Sequence, residues 1–353
     1  MKILSRYTGI NTVRAILTVL LVIVAIDTLG ALVDGIGDLR NQYVFSELLL
    51  YLALTLPERL YEHIPLASLI GCIIGLGAMA GNSELVILRA TGISLVRIVG
   101  FVLKPVIALI IAGVLIGELI VPYTTQLAEN RRTLMRSDMG EQLVDTGLWT
   151  KEGNEFIHFT AIYPNGTLYG VSRYHFDAEQ RLQQVSFSQK VSFQGNYWLE
   201  EDGRVTSFLK NRVDISTFDR RRWESSLNPE LLTLVALPPN LLGIESLYHY
   251  AAYLDSQNND SSRHRLSFWS KVLQPVTIAS LVLVAISFVF GPLRQVTMGF
   301  RVFVGVLVGV VFNTVQDILG PASLVYGFSP LVAVLLPAAV LALIGLLLLK
   351  KAG

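Results

Sequence analysis

Cysteine is nearly missing from this chain. Cys72 is the only one in 353 residues, so no disulfide framework and no thiolate metal site can be built within one copy. Charge is scarce as well. Asp, Glu, Lys and Arg make up 16% of the residues against 52% hydrophobic, where a soluble domain carries about 25% charged residues. A net charge of +1 leaves no basic excess with which to neutralise nucleic-acid phosphates. No G-x-x-x-x-G-K-[ST] occurs, which excludes a P-loop of the chain's own. His63, His158, His175, His249 and His264 never stand at metal-ligand spacing with a carboxylate, and there is no G-x-S-x-G elbow. These absences point away from an enzyme and from a bound cofactor or metal.

What the chain has is long apolar runs, at a mean hydropathy of +0.53. They fall at about 13–36, 48–80, 95–122, 268–292, 301–320 and 330–349, each able to supply the ~20 residues that cross a bilayer. The expected fold is therefore six transmembrane helices, three on either side of a large insert. The first run follows Lys2, Arg6 and Arg14 like a signal peptide, but it is expected to be retained because further runs follow it. The second is broken by LPERLYEH (56–63). It reads as a periplasmic-side amphipathic segment at 46–56, with the true span from about Ile64, or slightly earlier, to Ala80. Lys2, Arg6, Arg89, Arg97, Lys104, Arg294, Arg301, Lys350 and Lys351 fall on one side of the spans, whereas the loop at 320–330 is uncharged. The positive-inside bias then places both termini in the cytoplasm and the insert outside.

That insert, about 137–265, changes character. EFIHFTAIYPNGTLYGVSRYHF (155–176) and RLQQVSFSQKVSFQGNYWLEEDGRVTSFL (181–209) alternate polar and apolar residues. Turn signals stand at Pro164-Asn165-Gly166, Gly195-Asn196 and Asp202-Gly203, so the segment predicts antiparallel strands in a sandwich, jelly roll or open barrel. Phe156, Ile157, Phe159, Val185, Phe187, Val191 and Phe193 include both parities, which leaves the inward set unassigned. The expected organisation is 1–136 for spans one to three, 137–265 for the β domain with a helical connector, and 266–353 for spans four to six.

Several features inside the spans bear on function. Asp27, Glu118 and Asp317 are ionisable groups within apolar runs, and burying one costs about 2.5–3.5 kcal/mol even on the insertion scale. Asp27 is the deepest, and a wet crevice or a polar cavity between helices would accommodate it. Arg131, Arg132 and Arg136 cluster where span three emerges. They form either a solvated helix end or a phosphate clamp, since guanidinium groups suit bidentate phosphate contacts. Gly71 with Gly75, and Gly77 with Gly81, stand four apart and allow helices to approach closely.

GNSELVILRATGIS (81–94) joins spans two and three. Asn82 and Ser83 suit an N-cap, Glu84 the first turn and Gly92 a stop, giving a helix of roughly nine residues at 83–91. That is below the ~12–15 residues at which an isolated helix is marginal. It is also poor in the Lys and Arg that an interfacial anchor carries. A short, weak, sparsely charged helix suits a groove on a partner protein. The expected docking residues are Ser83, Glu84, Leu85, Val86 and Leu88, continuing through Arg89, Ala90, Thr91 and Gly92.

SELVILRATGIS, followed in order by ELIVP (118–122), FWSKVLQP (268–275), SFVFGPLR (287–294) and GPASLVYG (320–327), resembles the permease family of the lipopolysaccharide-export ABC transporter, with FGPLR favouring its LptG branch. The resemblance covers essentially the whole chain. It implies a non-catalytic subunit of the bacterial inner membrane that pairs with the homologous permease LptF on a dimeric ATPase, LptB, which alone uses ATP and Mg. It further implies an outer β-jelly roll that passes lipopolysaccharide to LptC and the LptA bridge, gates formed by spans one and five, and a coupling helix at 83–91 with Glu84 as its key polar contact. Relatives can carry lysines at the outer end of span one, whereas ALVDGIGDLRN (31–41) has Asp34, Asp38 and only Arg40. Arg132 then becomes the better candidate for the lipid A phosphates. The expected lipopolysaccharide contacts are Arg40, Arg131, Arg132 and Arg136, with Phe312, Ile318 and Leu319 as apolar lining. The alternative is a mechanotransmission-type ABC subunit that moves its outer domain without carrying a lipid. A membrane-bound hydrolase fails for want of a nucleophile motif.

Overall fold

The computed structural model describes residues 2–39, 43–136, 148–162, 167–177, 179–209, 212–225, 227, 238–257, 259–292 and 296–352. The chain divides into two compact units, Met1–Arg132 with Ser262–Gly353, and Thr133–Ser261. The first unit is helical: α1 (Lys2–Ile36), α2 (Phe45–Gly81), α3 (Glu84–Ala90) and α4 (Leu95–Leu115), which continues through a π turn (Ile116–Ile120) into α5 (Val121–Arg136). After the insert and its connecting helix α6 (Ile244–Ser256) come α7 (Ser262–Phe290), α8 (Met298–Tyr326) and α9 (Pro330–Ala352). Among the described residues, six helices are long and apolar enough to cross a membrane: Ile3–Ile36, Phe45–Gly81, Leu95–Glu129, Ser262–Phe290, Met298–Tyr326 and Pro330–Lys351. With an antiparallel sheet between the third and fourth, this is the fold class expected from sequence.

One expectation needs correcting. LPERLYEH does not interrupt the second span, and no separate amphipathic segment ends at 56. Phe45–Gly81 is one continuous helix of 37 residues with Pro57 and Pro65 inside it. The charges are tolerated because neighbouring helices answer them. Arg59 forms an ion pair with Asp27 of α1, and His63 Nε2 lies 3.7 Å from the same carboxylate. Glu58 Oε2 accepts a hydrogen bond from Thr125 Oγ1 of α5 at 3.2 Å. Tyr61 covers Lys271 of α7, whose Nζ lies 5.9 Å from the ring centroid and 3.8 Å from Glu118 Oε1 in the π turn. Gln274 Nε2 donates to Tyr61 O at 3.4 Å. The apparent break is a polar belt on α2 that engages α1, the π turn, α5 and α7.

The π turn has a local cause. Pro122 has no N–H to offer the carbonyl of Glu118, and its ring crowds that carbonyl in a regular helix. An extra residue in the turn relieves the crowding. Gly117 lets Tyr61 close over the turn, since a Cβ there would lie 2.5 Å from the ring. Two segments that carry the family resemblance, ELIVP and FWSKVLQP, thus meet as Glu118 and Lys271.

Elsewhere α2 is held by close apolar packing. A Cβ on Gly71 would lie 2.4 Å from Ile16 Cα, and one on Gly75 would lie 3.1 Å from Thr12 Cα. The Gly71/Gly75 spacing is a seat for α1. From the other side Gly305 and Gly309 of α8 receive Ile73 and Leu66. Of the most apolar stretch of α2, 67% is buried, against 17% for α1 and for α8, so α2 is the central helix.

The second unit holds a six-stranded antiparallel sheet in consecutive order: β1 (Leu148–Glu152), β2 (Glu155–Ile162), β3 (Thr167–Phe176), β4 (Leu182–Phe193), β5 (Trp198–Leu209) and β6 (Arg212–Trp223). Gly195-Asn196 makes the expected turn between β4 and β5, and Pro164-Asn165-Gly166 lies outside the described residues. Asp202-Gly203 is not a turn, because β5 runs straight through it in unbroken register with both neighbours. Instead Asp202 (φ 50) and Gly170 (φ 61) take left-handed conformations within their strands. Gly170, Gln189 and Asp202 are skipped by every ladder that flanks them, so they form a crease across the sheet.

Side-chain parity flips at this crease. The buried residues are Leu168 and Val171 in β3, Ser186, Ser188 and Val191 in β4, and Trp198, Glu200 and Val205 in β5. The mixed parity in the sequence therefore reflects one inward face. Ile157, Phe159 and Val191 belong to its core with Trp198 and Trp223, whereas Phe156 and Phe187 are exposed. At the crease Glu200 is fully buried. It accepts hydrogen bonds from Ser188 Oγ (3.1 Å), Arg173 Nη1 (3.3 Å) and Arg221 Nε (2.6 Å), which satisfies its charge.

Two outcomes test this packing. Gly71→Ala should lower the stability of the detergent-solubilised protein by about 1–3 kcal/mol through overpacking against Ile16. Gly30→Ala, whose Cβ meets nothing within 4 Å, should be neutral in the same thermal unfolding measurement. Lys271→Met should cost about 3 kcal/mol by breaking its buried pair with Glu118, and adding Glu118→Leu should recover most of that loss. A single variant as stable as the parent would show that the pair contributes nothing.

Candidate docking helix and arginine cluster

The two regions singled out by sequence sit at opposite ends of α2, which at 37 residues is about 55 Å long. At its carboxyl end, only Asn82 and Ser83 separate it from α3. The helix is seven residues long, Glu84–Ala90, with Ser83 in a left-handed conformation (φ 60) and no side-chain cap, so the expected Ser or Asn cap does not form. Asn82 Nδ2 instead reaches Glu84 Oε1 at 3.5 Å. The other end stops as expected. Gly92 (φ 83) donates to Arg89 O at 3.0 Å and Ile93 N donates to Leu88 O at 3.3 Å, the paired bonds of a Schellman motif. Leu88 and Ile93, the positions that pair in such a motif, are both buried in the helical core.

Burial divides the predicted docking residues. Leu85 and Leu88 are buried in the helical core, so they root α3 in its own protein and offer nothing to a partner. Ser83, Val86, Arg89, Ala90, Thr91 and Gly92 are exposed. Ile87, which the sequence reading left out, is 61% exposed beside Val86 at 52%. The i, i+3 spacing of Leu85 and Leu88 was the signal that could have assigned the faces. Glu84 Oε2 is enclosed and has no hydrogen-bond partner among the described residues.

At the amino end of α2, Arg131 and Arg132 of α5 line a shallow surface notch with Tyr43, Glu47, Tyr51, Leu54 and Ala128. Both guanidinium groups are engaged. Arg131 grips Glu47 with two bonds, Nε to Oε2 at 2.6 Å and Nη2 to Oε1 at 2.9 Å. Those bonds push its pKa further up. Arg132 Nη2 donates to Asp38 Oδ2 at 2.5 Å and Nη1 to Tyr51 OH at 3.3 Å, with Glu129 at 3.9 Å. Burial opposes its charge, yet the bond to Asp38 and the neighbouring acids raise its pKa on balance. Arg132 Nε is enclosed without a hydrogen-bond partner among the described residues. Glu47, Tyr51 and Glu129, absent from the sequence reading, complete this constellation. Arg136 ends α5, its side chain lying outside the described residues, as does Arg40 altogether.

The predicted apolar lining is split as well. Phe312 is buried in the chain's own helical core, which removes it from any surface a lipid could line. Ile318 is 61% exposed and Leu319 is half-buried. The exposed stripe of α8 runs through Phe303, Leu307, Val311, Val315 and Ile318, a helical repeat that sequence alone does not orient. Asp317 is exposed. Among the described residues no group of His, Cys, Asp and Glu could hold a metal ion.

Comparison with known proteins accords with this arrangement. The family described as lipopolysaccharide export system permease LptF/LptG matches residues 6–351. The chain is 35% identical to the lipopolysaccharide export system permease protein LptG of Escherichia coli (strain K12), over 99% of this chain and 98% of that protein. It is 32% identical to the protein of the same name from Haemophilus influenzae (strain ATCC 51907 / DSM 11121 / KW20 / Rd), over 95% and 94% respectively. Six apolar helices, a β domain between the third and fourth, and a family match along nearly the whole length lead to one conclusion: the chain belongs to the LptF/LptG family of lipopolysaccharide export system permeases.

Proposed function

We propose that this chain is the permease subunit that withdraws lipopolysaccharide from the bacterial inner membrane and hands it, through its β domain, to a periplasmic bridge toward the outer membrane. The near-full-length identity to two export permeases carries this reading. In it the chain pairs with LptF across the exposed stripe of α8 and the largely exposed α1, and a dimeric LptB supplies ATP hydrolysis. Both termini and α3 face the cytoplasm, and the β domain faces the periplasm and delivers to LptC and LptA.

Each end of α2 then has a task. At the cytoplasmic end, Val86 and Ile87 give the ATPase an apolar ridge. Half-buried Glu84 gives it a carboxylate with which a cation on the docked subunit would pair. At the other end, the arginine notch meets the lipid A phosphates. Because Glu47, Asp38 and Glu129 already neutralise Arg131 and Arg132, a phosphate must displace carboxylates, and binding there is an exchange of ion-pair partners. Such an exchange permits release as well as capture, which a carrier requires.

Two experiments test these assignments. Glu84→Lys, and separately Val86→Asp with Ile87→Asp, should abolish co-purification of the ATPase while the permease pair still assembles; undiminished ATPase capture would remove α3 from the interface. Arg131→Glu, Arg132→Glu and Arg136→Glu together should weaken photocrosslinking to lipopolysaccharide. Asp38→Asn should strengthen it, by loosening the hold on Arg132, about 1.5- to 5-fold for a partly exposed charge pair. Crosslinking unmoved by either change would make the cluster a solvated helix end.

A further inference from the structure

Arg301 stands in the first turn of α8, where the positive end of its own helix opposes a cation, and yet it is buried. Its Nη1 donates to Gly77 O at 3.2 Å. Gly77 lies near the carboxyl end of α2, which carries the negative end of that helix dipole. The guanidinium therefore ties the start of α8 to the end of α2. The approach is tight, since a Cβ on Gly77 would lie 2.9 Å from Met298 Sδ and 3.3 Å from Arg301 Nη1. Further along the same pair, Gly305 receives Ile73 and Gly309 receives Leu66. The two helices interlock from the α3 end inward. Leu85 and Leu88 of α3 share one buried cluster with Ile73 and Phe312.

Resting on the export reading above, we propose that Arg301 is a positioning residue of the transport cycle. It binds α8 to the end of α2 that carries the docking helix, so that a push on α3 reaches α8 as movement of one body. An aliphatic side chain would fill the same space without setting a cation against its own helix. A residue that breaks a local preference in this way marks a functional site. The stripe from Phe303 to Ile318, on the same helix as Arg301, is then moved directly by the stroke.

The test uses the full chain with its partner permease and ATPase, reconstituted in proteoliposomes with lipopolysaccharide, reading ATP hydrolysed and lipid delivered to an acceptor. Arg301→Met should assemble and hydrolyse ATP while lipid moved per ATP falls about tenfold, the size of a typical coupling between sites. Arg301→Lys, which keeps a cation and a donor, should restore most of that ratio. Unchanged lipid per ATP in Arg301→Met, or its failure to assemble, would overturn the proposal, the second by making the side chain a packing element. Independently, Ile73→Cys with Gly305→Cys in a Cys72→Ala background, oxidised to a crosslink, should leave transport intact; arrest by the crosslink would show that α2 and α8 slide past each other and would also overturn it. A wild-type complex that hydrolyses ATP without moving lipopolysaccharide would instead overturn the export reading and this inference with it.

Discussion

Glu58, Arg59 and His63 lie on a helix that must otherwise be apolar, and charges in such a place persist only when paired. Asp27 answers Arg59 and His63, Thr125 answers Glu58, and Lys271 settles between Tyr61 and Glu118. These contacts fix which faces of α1, α5 and α7 turn toward α2. Apolar packing in a bilayer lacks the solvent-driven force that orders a soluble core, so helix association relies on close fit and polar contacts. The belt supplies the polar contacts, and the glycine seats at Gly71, Gly75, Gly305 and Gly309 supply the fit.

From this follows the placement of both functional regions. A continuous α2 carries the arginine notch at one end and α3 at the other. Were the helix broken at LPERLYEH, the two would hang on separate segments with no rigid link. The π turn beside the belt sets where α5 emerges, and α5 carries Arg131 and Arg132 to Glu47 and Asp38. The arginine pair is thus aimed by Pro122 and Gly117, residues with no charge of their own.

In the β domain the organising feature is the crease through Gly170, Gln189 and Asp202. It permits one face to be buried on both sides of a parity switch, and it places Glu200 where Arg173, Arg221 and Ser188 converge. A strand with strict alternation would turn Val191 or Ser188 outward.

The number of spans, the strand-rich insert between the third and fourth and the short helix at 84–90 were legible in sequence, because length, apolarity and period are local properties of the chain. So was the stop at Gly92, whose left-handed conformation is intrinsic to glycine. The continuity of α2 was not legible, because the partners that answer its charges lie on other helices, 32 residues away for Arg59 with Asp27 and 67 for Glu58 with Thr125. Nor could sequence say that Phe312, Leu85 and Leu88 turn inward while Ile87 and Phe303 turn outward. In an almost uniformly apolar segment the hydrophobic pattern carries little information about facing, and only the neighbouring helices decide it. The Asp-Gly at 202–203 has a turn's chemistry, but the ladders on either side hold the strand through it. Local chemistry determined which elements form, and the pairing of distant polar groups determined which of their side chains remain available to act.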